Sequence, residues 1–279
     1  MSAAMGPAVA ATADPAVVAA AREHIHEPAT ASEADAKTEA LRAKSLDAIG
    51  PEALAQFEWA LQPMMRGAKW DVEKAAGKME TLAKFAAKHP RLFEGLSPDA
   101  FLPLAEIGMM TPLPTRNNRG ELVILLRMEK LDDFCRSFTM TDMLRFSVFY
   151  MGVMVKEEAT QLHGVVMLED LANMSMFAMM RLKGFGPSAM KANFDWLYAS
   201  PMRLRGLYAC HAPWFVGLML AMVKPFMKKK LRDRVEIYDK DTANMLDSAG
   251  LKPEQVPPAF GGTLDLDHSW YVKEMVGRT

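Results

Sequence analysis

Few side chains in this sequence stand where bond-making chemistry would need them. Glu169 and Asp170 are adjacent in GVVMLEDLANMS and invite a reading as an acid–base pair. Neighbouring residues of a strand point to opposite faces, so these two carboxylates would not meet. Asp170, at the end of a strand, is better read as the cap of the next turn. His24 and His26 in EHIHE have the right types for a metal, but they fall in a stretch without periodicity and read as solvated side chains. Neither Cys135 nor Cys210 opens a C-x5-R loop, because the sixth residue onward is Thr141 in one case and Val216 in the other. KGFGPSAM lacks the third glycine of a dinucleotide turn and follows a helix-like run, so it marks a turn and a helix start. GxSxG, HExxH and P-loop patterns are absent. The chain is expected to be a binder, not an enzyme, with no cofactor and no metal.

The stretch that does carry chemistry is HAPWFVGLMLAMVKPFMKKKLRDRV, from His211 to Val235, which begins apolar and ends basic. Pro225 divides it, since proline cannot continue a helix through its own nitrogen. In the first part Trp214, Leu218 and Met222 recur at i+4 with Phe215, Met219 and Val223 beside them, and the opposite side is apolar too. A helix that is hydrophobic all round needs apolar contact on both sides. That contact is either a protein core or, for a movable lid, a bound lipid on one side and a bilayer on the other. In the second part Lys230 and Arg234 share a face at i+4, as do Lys228 and Arg232. Such a run is either a solvated helix end suited to the macrodipole or an anionic-lipid site, where each basic group contributes ~1 kcal/mol.

These residues need a scaffold. Residues 1–34 are rich in Ala, Pro, Thr and Glu and read as a mostly disordered tail. Residues 35–96 read as a helical domain. One helix begins at Pro51; a second is capped by Asp71 and runs along Val72, Ala75, Met79, Leu82 and Ala86 until His89-Pro90. From 97 to 279 strands alternate with helices: Glu121–Met128, a long helix over TDMLRFSVFYMGVMVKEEATQLH capped by Thr141 or Asp142, His163–Leu171, a helix starting at Gly186-Pro187, RGLYACHA, and a short VEIYD. This predicts an α/β layer with a parallel or mixed sheet.

Composition sets the bounds. The 279 residues carry a net charge of -1, so any basic patch is local and nucleic acid is not the expected partner. Methionine is unusually frequent at 24 residues, and its flexible thioether suits irregular apolar pockets. The two cysteines read as inert thiols of a reducing compartment. The first Arg is Arg22 and Asp14 precedes it, which does not resemble a secretory signal. No run reaches the ~18 apolar residues of a membrane span. The expected location is cytoplasmic, with peripheral membrane association.

Four segments resemble the CRAL-TRIO lipid-transfer family. MMRGAKWDVEKA is similar to the family's FLRARKFDVEKA, and GVVMLEDLANMS to its VxxDLxGLS. SPMRLRGLYACHAPWFVGLMLAMVKPFMKKKLRDRV is similar to YPxRLKxIHxxNAPxxFxxxxxxxKPFLxxKxxxRI, and LKPEQVPPAFGGTL to LPxEYGG. The segments occur in family order over about residues 50 to 265. The resemblance implies a helical N-terminal lobe and an α/β lobe whose sheet floors an apolar cavity. A gate helix, here Pro213 to about Lys224, would close that cavity and swing at a membrane.

The implied function is carriage of one hydrophobic molecule, such as a terpenoid, retinoid, tocopherol, sterol or acyl lipid, exchanged at anionic membranes. The alternative is a phosphoinositide-recruited adaptor without exchange. Cavity positions would be Met167, Phe177, Met180, Phe194, Leu197, Phe215, Met219 and Met222. By resemblance Arg203, Lys230 and Arg234 match phosphoinositide-binding positions, and Lys228 and Arg232 extend that basic set. Ala68 departs from the family's second arginine, leaving Arg66 and implying weaker or altered headgroup binding. Met202 and Leu231 depart from the phosphatidylinositol-transfer subgroup, which argues against phosphatidylinositol as the cavity ligand. Asn173 replaces a glycine, a mild change for a turn with positive φ.

Overall fold

A computed structural model describes residues 14–267. The chain opens with helices α1 (Pro15–His24), α2 (Ala31–Phe57), α3 (Leu61–Gly67), α4 (Val72–Lys88) and α5 (Pro98–Glu106). The stretch from residue 14 to 34, expected to be a tail, is therefore structured in large part: Asp14 caps α1 through Ala16 N–H, and Ile25 is fully buried. Arg22 of α1 and the carboxylate of Glu27 find partners that lie more than thirty residues away, Glu158 for the first and Arg66 and Trp70 for the second, which no local pattern reveals. Gly50, at φ 79 and ψ 167, breaks α2, so Pro51 does begin a new helical run. Asp71 caps α4 through Lys74 N–H, and Ala75, Met79, Leu82 and Ala86 are buried along one face as the spacing predicts.

Strands β1 (Met110–Pro112) and β2 (Leu122–Arg127) follow, then α6 (Leu131–Ser137), α7 (Met140–Met154) and α8 (Glu158–His163). The single long helix expected over 141–163 is thus two. Its cap is Thr139, not Thr141 or Asp142, and Thr139 forms a reciprocal capping box with Asp142. Next come β3 (Val165–Asp170), α9 (Met176–Arg181), α10 (Pro187–Ala199), β4 (Leu204–Cys210), α11 (Val216–Val223), α12 (Lys229–Arg232), β5 (Val235–Ile237) and α13 (Thr242–Ala249).

The five strands lie in sequence order, with β1 antiparallel to β2 and β2 to β5 parallel. The buried alternation of β2 and β3 sorts their side chains onto two faces. Leu122, Ile124 and Val165 join one core that runs back through α7 and α10 to Leu41, Phe57 and Met79, so the N-terminal helices and the sheet share it. On the other face Val123, Leu125, Val166, Leu168 and Cys210 meet Met245, Leu246 and Ala249 of α13 and the closing residues Val256 and Phe260. Gly262 in the closing FGG is required by space: a Cβ there would stand 2.0 Å from the Val256 carbonyl. Asn173 adopts φ 58, a turn that asparagine tolerates where a glycine is usual. Both cysteines are free, as expected. No described helix is long and apolar enough to cross a membrane.

Candidate functional site: a basic cleft beside an apolar helix

The turn from α3 to α4 sets one wall of a cleft. Lys69 and Trp70 are both held at positive φ, 58 and 60, a conformation non-glycine residues adopt only under constraint. The constraint is visible. Trp70 is buried, and its indole N–H donates to Glu27 Oε2 at 2.8 Å. Arg66 is buried beside it and donates to Glu27 Oε1 at 2.8 Å, to Glu158 at 2.8 Å and to Gln161 at 2.6 Å. Arg66 is therefore an internal clamp between α3, α8 and the segment after α1, and is not among the residues lining the cleft.

Across from that turn, α4 contributes Lys74 and Lys78, β4 contributes Arg205 with Arg203 just before it, and the segment around α12 contributes Lys228, Lys230 and Arg234. With Lys69 and His24 they surround a cleft of about 480 Å³. Eight lysines and arginines line it and no carboxylate does. The guanidiniums are fixed by carbonyls: Arg203 donates to Leu162 O at 3.1 Å, Arg205 to His163 O at 2.9 Å, and Arg234 to Leu204 O. Lys228 lies 4.4 Å from the Tyr198 ring centroid, and its backbone N–H donates to Tyr198 Oη at 2.7 Å.

Crowded cations disfavour one another's charge. Burial, reinforced by Arg203, Lys74 and Lys230, pulls the Lys78 ammonium down to about 8. Burial and the neighbouring Arg205 and Arg234 bring Arg203 to about 10. Arg234 and then burial lower Lys230. At the rim, the charge of Lys69 is the main cause holding His24 below its ordinary value. An anion in the cleft would offset the mutual repulsion that contributes to each of these shifts.

Four of the five basic residues named from sequence, Arg203, Lys228, Lys230 and Arg234, meet here. Arg232 does not: α12 is one turn long and directs it, exposed, away from the cleft lining. Sequence reasoning missed Lys69, Lys74, Lys78, Arg205 and His24. Lys74 and Lys78 repeat at i+4 on α4, the only signal that could have found them. His24, expected to be merely solvated, gains a place by α1 folding onto this edge.

Helix α11 begins just after the cleft's β4 wall. Phe215 and Val216 are buried against Leu171, Met174 and Ala209, with Met219 and Leu220 packed beside them. The other side is bare: Trp214 is 86% exposed, Leu218 59% and Met222 58%. Among the cavity candidates, Phe215 and Met219 thus face inward. Met167, Phe194 and Leu197 pack around Leu204, Met227 and Leu231. Met222 faces outward, and so do Phe177 and Met180, at 73% and 63% exposed, because α9 is a six-residue helix that lies at the surface. Val223, at the end of α11, shares the cluster of Leu204 and Leu231, which also line the cleft. Helix α11 and the basic cleft thus share an apolar cluster. Beneath the segment that leads into α11, Asp170 Oδ1 accepts Ala172 N–H at 3.0 Å, the expected turn cap, and stands 2.8 Å from His211 Nδ1. Cys210 beside them is a buried thiol pushed up to about 12.

Residues 108–262 match the CRAL/TRIO domain, which is more than half of the chain. The chain belongs to the CRAL/TRIO family. Rat Clavesin-1 is 30% identical over 153 residues, covering 54% of this chain and 41% of that protein. Human alpha-tocopherol transfer protein-like is 24% identical over 200 residues, covering 71% of this chain and 56% of that protein. This CRAL/TRIO chain aligns with about half the length of the curated relatives it matches. The crystal structure of Sfh5 superposes with a TM-score of 0.50 at 10% identity, covering 96% of this chain and 98% of Sfh5, which supports the same fold. The family binds and transfers hydrophobic ligands.

Proposed function

We propose that this CRAL/TRIO chain carries one hydrophobic ligand beneath α11 and exchanges it at an anionic, phosphoinositide-containing membrane. The observation that carries the reading is the cleft with eight cations and no carboxylate, joined through Leu204, Leu231 and Val223 to the gate helix. A multiply phosphorylated headgroup matches such a cleft in charge, because several phosphates can be met by fixed guanidiniums and lysines together. The exposed row Trp214, Leu218 and Met222 is suited to enter the interface of the same bilayer. Headgroup binding at Lys228, Lys230 and Arg234 would then strain the segment that ends α11 and loosen the lid where the ligand must leave. The likeness to a protein named for tocopherol transfer agrees with carriage.

The test is flotation with vesicles of phosphatidylcholine, of phosphatidylcholine with phosphatidylserine, and of phosphatidylcholine with a bisphosphorylated inositide at matched charge. Transfer of a fluorescent lipid is followed on the same vesicles. Preference for the inositide with accelerated transfer supports the reading. Vesicle binding without transfer would replace it with the adaptor reading, and no vesicle binding would end both.

A further inference from the structure

Three side chains able to ligate a metal meet where β3 and β4 end. Asp170 and Cys210 are partners in the parallel register of these strands and so project to the same face. His211 follows Cys210, and strand alternation alone would send it to the opposite face. It is held instead at φ 51, with its N–H donating to the Asp239 carbonyl at 2.5 Å just beyond β5, and its ring turns back to Asp170. Positive φ is uncommon outside glycine and recurs at sites under functional constraint.

One His211 ring nitrogen, the Cys210 sulfur and one Asp170 carboxylate oxygen lie within 4.8 Å of one another. Among the described residues this is the one such group that could hold a metal ion. Unlike surface acids that cluster by chance, Asp170 and Cys210 are buried, at 4% and 0% exposed. The His211 side chain is 32% exposed and keeps one side of the group open to solvent.

The donor set selects the ion. Magnesium and calcium take oxygen ligands, whereas imidazole and thiolate beside one carboxylate suit four-coordinate zinc. Ligand atoms of a tetrahedral zinc stand about 3.3–3.8 Å apart, so a gap of up to 4.8 Å must close by about 1 Å. The 2.8 Å contact of His211 with Asp170 must open by about half an ångström. Side-chain rotation supplies both movements. The carboxylate and a Cys210 thiolate together neutralise a divalent charge, as a buried ion requires. The thiol proton passes to solvent as the ion enters, the ligating ring nitrogen enters unprotonated, and water takes the fourth position from the open side.

We propose that Asp170, Cys210 and His211 form a site for one divalent cation of the zinc class, which pins the segment leading into α11 to the ends of β3 and β4. The site goes beyond the carrier reading and does not depend on it. His211 stands where the family motif has the asparagine of NAP, so the donor set is a feature of this chain.

The test titrates the full chain, reduced and stripped of metal, with cobalt(II) as a coloured stand-in for zinc. Wild type is expected to bind a single equivalent, with a thiolate-to-cobalt charge-transfer band and the visible absorption of a four-coordinate ion, both removed by zinc. Cys135→Ser should keep the band and Cys210→Ser should lose it. His211→Asn, which places the motif's own residue there, should weaken zinc binding at least about tenfold, and so should Asp170→Asn. Circular dichroism checks that each variant is folded. Hydrogen exchange of the backbone amides of residues 211–216 should slow on zinc addition in wild type and not in His211→Asn. A wild type without the thiolate band, or a band that survives Cys210→Ser, would overturn the site. Unchanged zinc affinity in His211→Asn would overturn the three-donor assignment. Exchange that ignores bound zinc would overturn the pinning of α11's lead-in.

Discussion

Replacing Glu169 by glutamine removes one charge from the sheet face that α11 covers, where Leu126 and Ala209 flank it, and leaves the shape almost unchanged. The carboxyl titrates at about 7 in the folded chain instead of 4.5, and burial is the cause. Its folded value is raised, so the native state resists its ionisation. The penalty is absent below 4.5, builds as pH climbs to about 7, and is complete above that. At ~1.4 kcal/mol per pH unit the full shift corresponds to ~3 kcal/mol. Partial solvent access reduces this, and ~1–2 kcal/mol is the expected remainder. The assay is urea unfolding of wild type and Glu169→Gln at about pH 5 and at about pH 8, taking the difference of the two differences. That subtraction cancels every other titrating group and any pH-independent effect of the amide. The variant should be the more stable protein, with an advantage that is larger at the higher pH. A difference that stays flat, or shrinks as pH rises, would refute the placement of a lone buried carboxyl under α11.

Four further outcomes follow from the same geometry. Because Lys78 sits at about 8, inositide-vesicle affinity should fall as pH rises through that value, and flotation of Lys78→Met should show the decline flattened. Lys230→Ala should weaken binding to those vesicles roughly fivefold, from ~1 kcal/mol per surface cation, whereas Arg232→Ala should stay within about twofold; equal losses would mean that the cleft does not select its cations. Trp214→Ala should slow lipid transfer to vesicles while leaving the urea midpoint within ~0.5 kcal/mol of wild type, since the side chain is 86% exposed; unaltered transfer would remove it from the membrane-facing row. Glu27→Ala should cost ~2–3 kcal/mol in urea unfolding, because buried Arg66 keeps only the half-exposed Glu158 as a carboxylate partner and Trp70 loses its acceptor; a loss under ~1 kcal/mol would show that the segment after α1 is not clamped to α3.

Much of the fold was legible along the chain because its signals are local. The apolar period of α4, its Asp71 cap, Pro51 at a helix start and the β-branched run of β3 each need only a few neighbouring residues. The strand β1 was not legible: three residues, Met110 to Pro112, carry too little pattern, and they become a strand only by pairing with Leu126 to Ile124. The break between α7 and α8 was likewise hidden, since KEE reads as ordinary helix, and the turn there is completed by Gln161 donating to the Val155 carbonyl and Arg116 to Glu157.

The site divides in the same way. Sequence alone determined the apolar stretch of α11, the proline that follows it, the basic run beyond it and the family, because these lie in one continuous stretch or in motifs in fixed order. It also determined that Glu169 and Asp170 could not act as a pair, from the two-residue period of a strand. Only the tertiary structure decided which cations meet. Lys69, Lys74 and Lys78 come from the α3–α4 turn and α4, Arg203 and Arg205 from the start of β4, and the rest from around α12, more than a hundred residues from the first group. Arg66 and Arg232 have the same charge but are excluded, one by its internal carboxylate and the other by the direction of a one-turn helix. Charge is a property of a residue and can be counted along a chain, whereas an unneutralised cleft depends on which carboxylates are kept out of it, and that is settled only when the segments pack.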